Sequence, residues 1–290
     1  MNRLLFNFAV AIALTSSACS VRLVSSRTPA GAAASIYNIS VSSGNSQSVT
    51  VATATGSALV AVVRDSSGNP VSGVTVNWTV ASGAGSLSSS SNITNASGLS
   101  STTPTLGTVA GSNTFTATIN GTSTSVLFSA TGTAALPVSI SVSAGNSQSA
   151  IAGAAAGSPF EAVVRDTYGN PVSGVTVNWA VTGGGGSLSS ASNSTNASGI
   201  SMSTLTLGTL VGSNTVSATI NATATSTSFS ATGTPGAPAT ISVSSGNAQT
   251  GTAGSALSSS FVAVVRDANT NLVPGVTINW AVTAGGGSPL

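Results

Sequence analysis

An all-β chain of tandem antiparallel β-sandwiches is the fold class this sequence predicts. Three observations lead to it: a repeat of 101 residues, apolar residues alternating with period two, and clusters of turn residues between the alternating runs. No window carries the 3.6-residue apolar periodicity of a helix of ordinary length.

Trp78, Trp179 and Trp280 stand 101 residues apart, as do Asp65, Asp166 and Asp267 and the pairs Gly44-Asn45, Gly145-Asn146 and Gly246-Asn247. The run Ser-Ala-Thr-Gly-Thr closes a first unit at 129–133 and a second at 230–234. This register predicts complete units over 36–133 and 138–234, and over 239–290 only the first half of a third. Half a sandwich cannot bury its own apolar face, so either the natural chain continues or the third piece is unstable alone, and a truncated reading frame or fragment is the expectation. The connectors at 133–137 and 234–238 are short and contain proline, which restricts hinge freedom and favours an extended array.

Inside a unit the alternation assigns faces. Val175, Val177, Trp179 and Val181 fall on one side of a strand and Thr176, Asn178 and Ala180 on the other, the pattern of a half-buried strand. The same set recurs as Val74, Val76, Trp78, Val80 and as Val276, Ile278, Trp280, Val282, so all three tryptophans are expected in the core. Phe160, Ala162 and Val164 point inward by the same rule, with Glu161 and Arg165 outward. Val216, Ala218, Ile220, Phe229 and Ala231 complete the inner face. Turn chemistry lies between them at 166–171, 183–186, 196–199 and 208–212.

Composition narrows function. The chain is 41% hydrophobic with 6 basic and 4 acidic residues, which is the reverse of the low hydrophobicity and high charge of a disordered chain. A net charge of +2 over 290 residues cannot form the cationic stripe that phosphate binding requires, so nucleic acid is excluded as a partner. With no His and one Cys, the nucleophile-base and zinc-ligand sets cannot be assembled, and no catalytic residue, metal ligand or cofactor is assigned. Of the acids Asp65, Glu161, Asp166 and Asp267, only Glu161 and Asp166 share a unit. There the first is expected to face outward from a strand and the second to open a turn, unlike the paired carboxyls of glycoside hydrolysis. One aspartate per repeat is thin for calcium, which prefers six to eight oxygens; the three aspartates are expected to start hairpin turns, with Arg64, Arg165 and Arg266 on the solvent face. The glycine runs 183–186 and 285–287 lack the Lys-Ser/Thr and the helix of a phosphate cradle and are loops.

The amino terminus has the order of an export signal: Arg3, an apolar run from Leu4 to Leu14, then small residues to Cys19. The apolar run is too short to span a bilayer, so residues 1–18 are expected to be removed and 19–35 to form a flexible polar tether. The stretch Leu14 to Cys19 resembles a bacterial lipoprotein box, which implies a diacylglycerol on the Cys19 thiol and attachment to a membrane. Ser16 stands where that box usually has an aliphatic residue, and Ser16 with Ala18 also suits ordinary signal peptidase, which cuts the same bond. A lone exported thiol without a partner favours the lipidated form.

The units themselves resemble the bacterial immunoglobulin-like repeats of group one found in invasins and intimins. The residues that carry the resemblance are Asp-x-x-Gly-Asn-Pro-Val-x-Gly-Val-x-Val-x-Trp at 65–78 and 166–179, Gly-Ser-Leu-Ser, Leu-Gly-Thr at Leu106 and Leu207, and the closing Phe-Ser-Ala-Thr-Gly-Thr. The resemblance implies Ig-like sandwiches used as a spacer that lifts a distal recognition domain from the outer membrane, with the lipid on Cys19 as the anchor. The expected function is a non-catalytic stalk at the cell surface, in adhesion. Two alternatives stand beside it: the repeats bind a host protein or glycan through loops such as 92–97 and 193–198, or they are the accessory stalk of a secreted enzyme.

Overall fold

The computed structural model describes residues 36–287, and every regular element among them is a strand. The expected leader, tether and lipid site at Cys19 lie outside the described residues.

The first unit runs β1 (Asn38–Ser43), β2 (Gln47–Thr50), β3 (Leu59–Arg64), β4 (Thr75–Ser82), β5 (Ser86–Leu87), β6 (Ser91–Ile93), β7 (Leu99–Thr102), β8 (Pro104–Thr105), β9 (Gly111–Ile119) and β10 (Ser125–Thr133). A three-stranded sheet β1-β3-β7 faces a five-stranded sheet β2-β10-β9-β4-β6, and the short pair β5-β8 lies beside them. The second unit repeats this plan from Pro137–Ala144 to Ser226–Thr234.

One pair departs from an all-antiparallel reading. β2 runs parallel to β10, with Gln47 opposite Ala130, and the second unit repeats this with Gln148 opposite Ala231. The cause is a sheet switch: the chain leaves β1 on one sheet and enters β2 on the other within a few residues. The Gln47 side chain fixes the switch. Its amide nitrogen donates to Gly44 O at 2.6 Å and Ser57 O at 2.8 Å, while its oxygen accepts from Ser57 N at 2.9 Å.

Alternation along the strands builds the core. On β9, Phe115, Ala117 and Ile119 are buried while Thr114, Thr116 and Thr118 between them are only half-buried. Leu59, Ala61 and Val63 of β3 close on them from the other sheet. Trp78 is 1% exposed and lies 5.3 Å from Phe128, ring centre to ring centre; Trp179 is 3% exposed and lies 5.3 Å from Phe229. Each indole also crosses the sandwich. Trp78 Nε1 donates to Ser100 Oγ at 3.1 Å and Trp179 Nε1 to Ser201 Oγ at 3.0 Å, both hydroxyls lying on strands of the opposite sheet.

The third tryptophan corrects the expectation. Trp280 is 50% exposed, and 276–282 form no strand. Among the described residues of this unit the only sheet is Thr240–Ser245 paired with Val262–Arg266. In the other units the tryptophan strand is held between β9 and β6 or their equivalents; here, among the described residues, its backbone has no ladder partner, and the pair of strands opposite it lacks the third strand that carries the serine. Trp280 keeps a stacked contact with Phe261 at 6.3 Å and lines a cleft with Ile241, Val243 and Ala263.

These environments set different mutational costs. Truncating Trp78 or Trp179 to alanine should destabilise its unit by about 3–5 kcal/mol, because a filled core site is emptied and the serine hydroxyl loses the indole N–H. Trp280→Ala should cost well under half as much, since half the ring is already in water. Urea unfolding of the full chain, followed unit by unit by NMR, checks the order.

Candidate functional site: the clasp between units

Three of the four acids recur at one place in the fold, the turn after the Leu59–Arg64 strand and its repeats. Asp166 ends the strand Phe160–Asp166 and organises the turn that follows. Its Oδ1 accepts from Tyr168 N and Asn170 N, each at 2.8 Å, and its Oδ2 from Asn170 Nδ2 at 2.9 Å. Short Asp side chains favour this arrangement because they reach the backbone two to four residues on. Arg165 seals the turn from outside, donating to Gly169 O at 2.8 Å, and Arg64 and Arg266 do the same at 2.8 Å and 2.7 Å.

The turn also reaches into the unit before it. Ala135 N, in the connector, donates to Asp166 Oδ2 at 2.9 Å. Asn170 Nδ2 donates to Thr108 O at 2.8 Å, and Asn170 Oδ1 accepts from Ala110 N at 2.8 Å. A single amide therefore pairs with both faces of one peptide segment in the loop before β9.

The next joint is built the same way. Gly236 N donates to Asp267 Oδ2 at 2.9 Å, Asn271 Nδ2 to Thr209 O at 2.9 Å, and Val211 N to Asn271 Oδ1 at 3.1 Å. Asn269 adds a bond of its own to Ala152 O at 3.1 Å. Asp166 and Asp267 are both buried, as are Asn170 and Asn271. Burial raises the Asp166 carboxyl, but the Asn170 side chain and the N–H groups of Ala135, Asn170 and Tyr168 together hold it below its ordinary value. The Gly236 N–H does most to lower Asp267, against a raising effect of burial. In the first unit Asp65 makes the turn contacts alone, to Ser67 N and Asn69 N at 2.9 Å and to Asn69 Nδ2 at 3.3 Å, and its carboxyl is lowered chiefly by the Asn69 N–H.

The loop offered to the clasp is fixed by its own unit. A Cβ on Gly107 would overlap the carbonyl oxygen of Gly83, and one on Gly208 that of Gly184, so the Leu-Gly-Thr corner packs backbone against backbone. Gly208 N is further held by Asn214 Oδ1 at 2.9 Å.

The chemistry of the clasp is structural. Each Asp166 oxygen is met by N–H donors, an environment complementary to a carboxylate and opposed to adding a cation beside it. Among the described residues no three of His, Cys, Asp and Glu come together. Glu161 and Asp166 sit near opposite ends of one strand, about 16 Å apart at strand rise, too far to act on one bond. The loops at 92–97 and 193–198 use their polar groups on themselves: Asn95 Oδ1 accepts from Ser97 N and Leu99 N, and Asn196 Oδ1 from Ser198 N and Ile200 N.

The aspartates do open turns, as the sequence predicts, but the burial of Asp166 and Asp267 against a neighbouring unit is new, and so are the roles of Asn170 and Asn271. The 101-residue register of Asp-x-x-x-Asn with Leu-Gly-Thr is the signal that pairs them, since both motifs repeat in step.

The fold has known counterparts. The chain is similar to the structure of FdeC, an adhesin of Escherichia coli, at 21% identity and a TM-score of 0.58, covering 82% of this chain and 76% of that one. It is similar to InvD of Yersinia pseudotuberculosis at 20% identity and a TM-score of 0.51, covering 82% of this chain and 72% of that one. At these identities the likeness is one of fold. No curated protein matches the sequence. The family profile of the bacterial Ig-like domain (group 1) matches it twice, at 46–136 and 139–232, which together make up more than half of its length. With two sandwiches of this plan in tandem, the chain belongs to the bacterial Ig-like domain (group 1) family.

Proposed function

We propose that this chain is a non-catalytic cell-surface protein whose Ig-like units form a stalk in adhesion. The observation that carries the reading is the clasp, made with the same residue types at both joints. A passive spacer needs defined joints more than it needs a reactive surface, and hydrogen bonds from Asn170 and Asn271 to the preceding unit supply them. The loops at 92–97 and 193–198 favour the spacer over a binding module, because the asparagines that open their turns are engaged in those turns. The likeness of fold to an Escherichia coli adhesin supports the setting.

In this reading residues 1–18 are an export leader and 19–35 a tether, with Cys19 carrying the lipid that holds the stalk to the outer membrane. The repeats lift a recognition element toward a host cell or surface ligand and do not themselves bind it.

The clasp gives the stalk a pH limit. Aspartates in the unfolded chain titrate near 3.8, and the folded values of Asp166 and Asp267 lie lower. A lowered value means that the folded state favours the charged form, so the contribution is complete above about pH 5 and is lost as pH falls through the folded value. Thermal unfolding of the full chain should give a Tm that is flat from pH 7 to pH 5 and drops below pH 3.8. Asp166→Ala should lower Tm already at pH 7 and lessen the acid drop.

Two measurements test the function. Radiolabelled palmitate should be incorporated by the expressed protein and lost on Cys19→Ala; an unlabelled wild type would remove the anchor. The leaderless chain, incubated with cultured host cells, should not be retained; saturable binding would replace the passive stalk with a binding module.

A further inference from the structure

The clasp has an acceptor half and a donor half; the acceptor half is formed without the partner in the first unit, and the donor half is braced by its own unit. The donor is the loop 106–111 or 207–212, held by contacts inside its own unit, Gly107 against Gly83 and Gly208 against Gly184. The acceptor is the Asp-x-x-x-Asn turn on the opposite pole. Asp65 and Asn69 make the same turn contacts in the first unit as Asp166 and Asn170 make in the second, although no described residue docks there. Arg64 braces that turn through Gly68 O just as Arg165 does through Gly169 O.

We infer that the Asp–Asn turn is an interchangeable docking site for the opposite pole of any unit of this type joined ahead of it, and that the first unit carries a competent, preformed copy at Asp65 and Asn69. The partner is an Ig-like unit presenting a Leu-Gly-Thr-x-x-Gly loop. Recognition is by the loop backbone, one carbonyl and one N–H paired with a single carboxamide, so side chains at the loop tip are free to vary. They do vary: Val109-Ala110 in one joint is Leu210-Val211 in the next, with the same bonds made. The stalk reading gives this docking its purpose, but the docking itself does not depend on that reading.

The test lengthens the full chain by inserting a second copy of residues 36–136 directly before Ile36. This reproduces the spacing of the natural joint and sets the copy's connector and loop against Asp65 and Asn69. Amide hydrogen exchange by NMR should show the copy's Ala110 amide protected about tenfold over an unbonded amide, as expected for one hydrogen bond. Residual dipolar couplings should fit one alignment tensor for the copy and the first unit. Asn69→Ala should abolish both in the lengthened chain. A copy that tumbles independently, or protection indifferent to Asn69→Ala, overturns the inference.

The natural chain provides a second arm should the insert not fold. Asn170→Ala should expose the Ala110 amide about tenfold while Asn69→Ala leaves it unchanged. No effect from Asn170→Ala, or an equal one from both substitutions, would show that the asparagines act only within their own turns. Neither arm reads membrane attachment or cell binding, so failure here leaves the stalk proposal standing, and failure there leaves the docking standing.

Discussion

The indole of the repeat tryptophan joins the two sheets of each unit in two ways at once. Its ring fills the space between them against Phe128 or Phe229, and its N–H reaches a serine hydroxyl on the far sheet. The magnitudes differ. Burying a ring of this size accounts for about 3–5 kcal/mol, while one neutral hydrogen bond adds about 1 kcal/mol. Cohesion therefore comes from the ring. The N–H contributes position: with a hydroxyl waiting at one place on the opposite sheet, a slip of either sheet leaves two buried polar groups unpaired. Trp280 is the internal control: the two-stranded counterpart of the facing sheet is there, but among the described residues its own strand has no neighbours and no serine-bearing third strand lies opposite, and its ring is left half in water.

A well-registered sandwich matters beyond itself because both halves of the clasp hang from it. The donor loop leads into β9, and the acceptor turn follows β3 or its equivalent, on opposite sheets of the unit. The chain has very few charges, 6 basic and 4 acidic, and three of the acids lie in these turns. Orientation between units cannot come from long-range electrostatics on so neutral a surface. It comes from bonds of 2.8–3.1 Å between amides, carbonyls and a carboxylate, much shorter than the Debye length of about 8 Å at physiological salt. Such a joint is nearly blind to ionic strength and open to acid.

Much of this was legible in the sequence, and the rest was hidden for identifiable reasons. The period-two runs around Trp78 and Trp179 place the inner face correctly because a half-buried strand has no other way to sort its side chains. The parallel pairing of β2 with β10 was not legible, since a four-residue strand such as Gln47–Thr50 carries too little pattern to show which sheet it joins. Ser100 and Ser201 were invisible for a different reason: in a chain crowded with serine, nothing local separates the hydroxyl that meets an indole from those that meet water. Trp280 departs from the expectation because periodicity assigns a face, whereas burial also requires neighbouring strands beside it, and among the described residues the 276–282 segment has none. Asn170 was read only as part of a turn, which it is; its second partner lies 62 residues back at Thr108 and is reached only once the tandem fold is known.

The clasp is a head-to-tail contact, with different surfaces on the two partners, and contacts of that kind can in principle propagate between separate molecules. The energetics confine it to one chain. Two neutral hydrogen bonds through Asn170 and one charge-assisted bond to Asp166 sum to roughly 3–5 kcal/mol, which between free molecules is consumed by the cost of association, about 4–15 kcal/mol. Unconnected units would rarely meet in that way. A short connector raises the effective concentration of one pole at the next to the millimolar range or above, and the prolines at 137 and 235 narrow the conformations sampled. The joint is thus strong enough to close when the chain supplies the neighbour and too weak to gather neighbours from solution. A string of such units can hold a set geometry within one molecule without joining its copies into fibres.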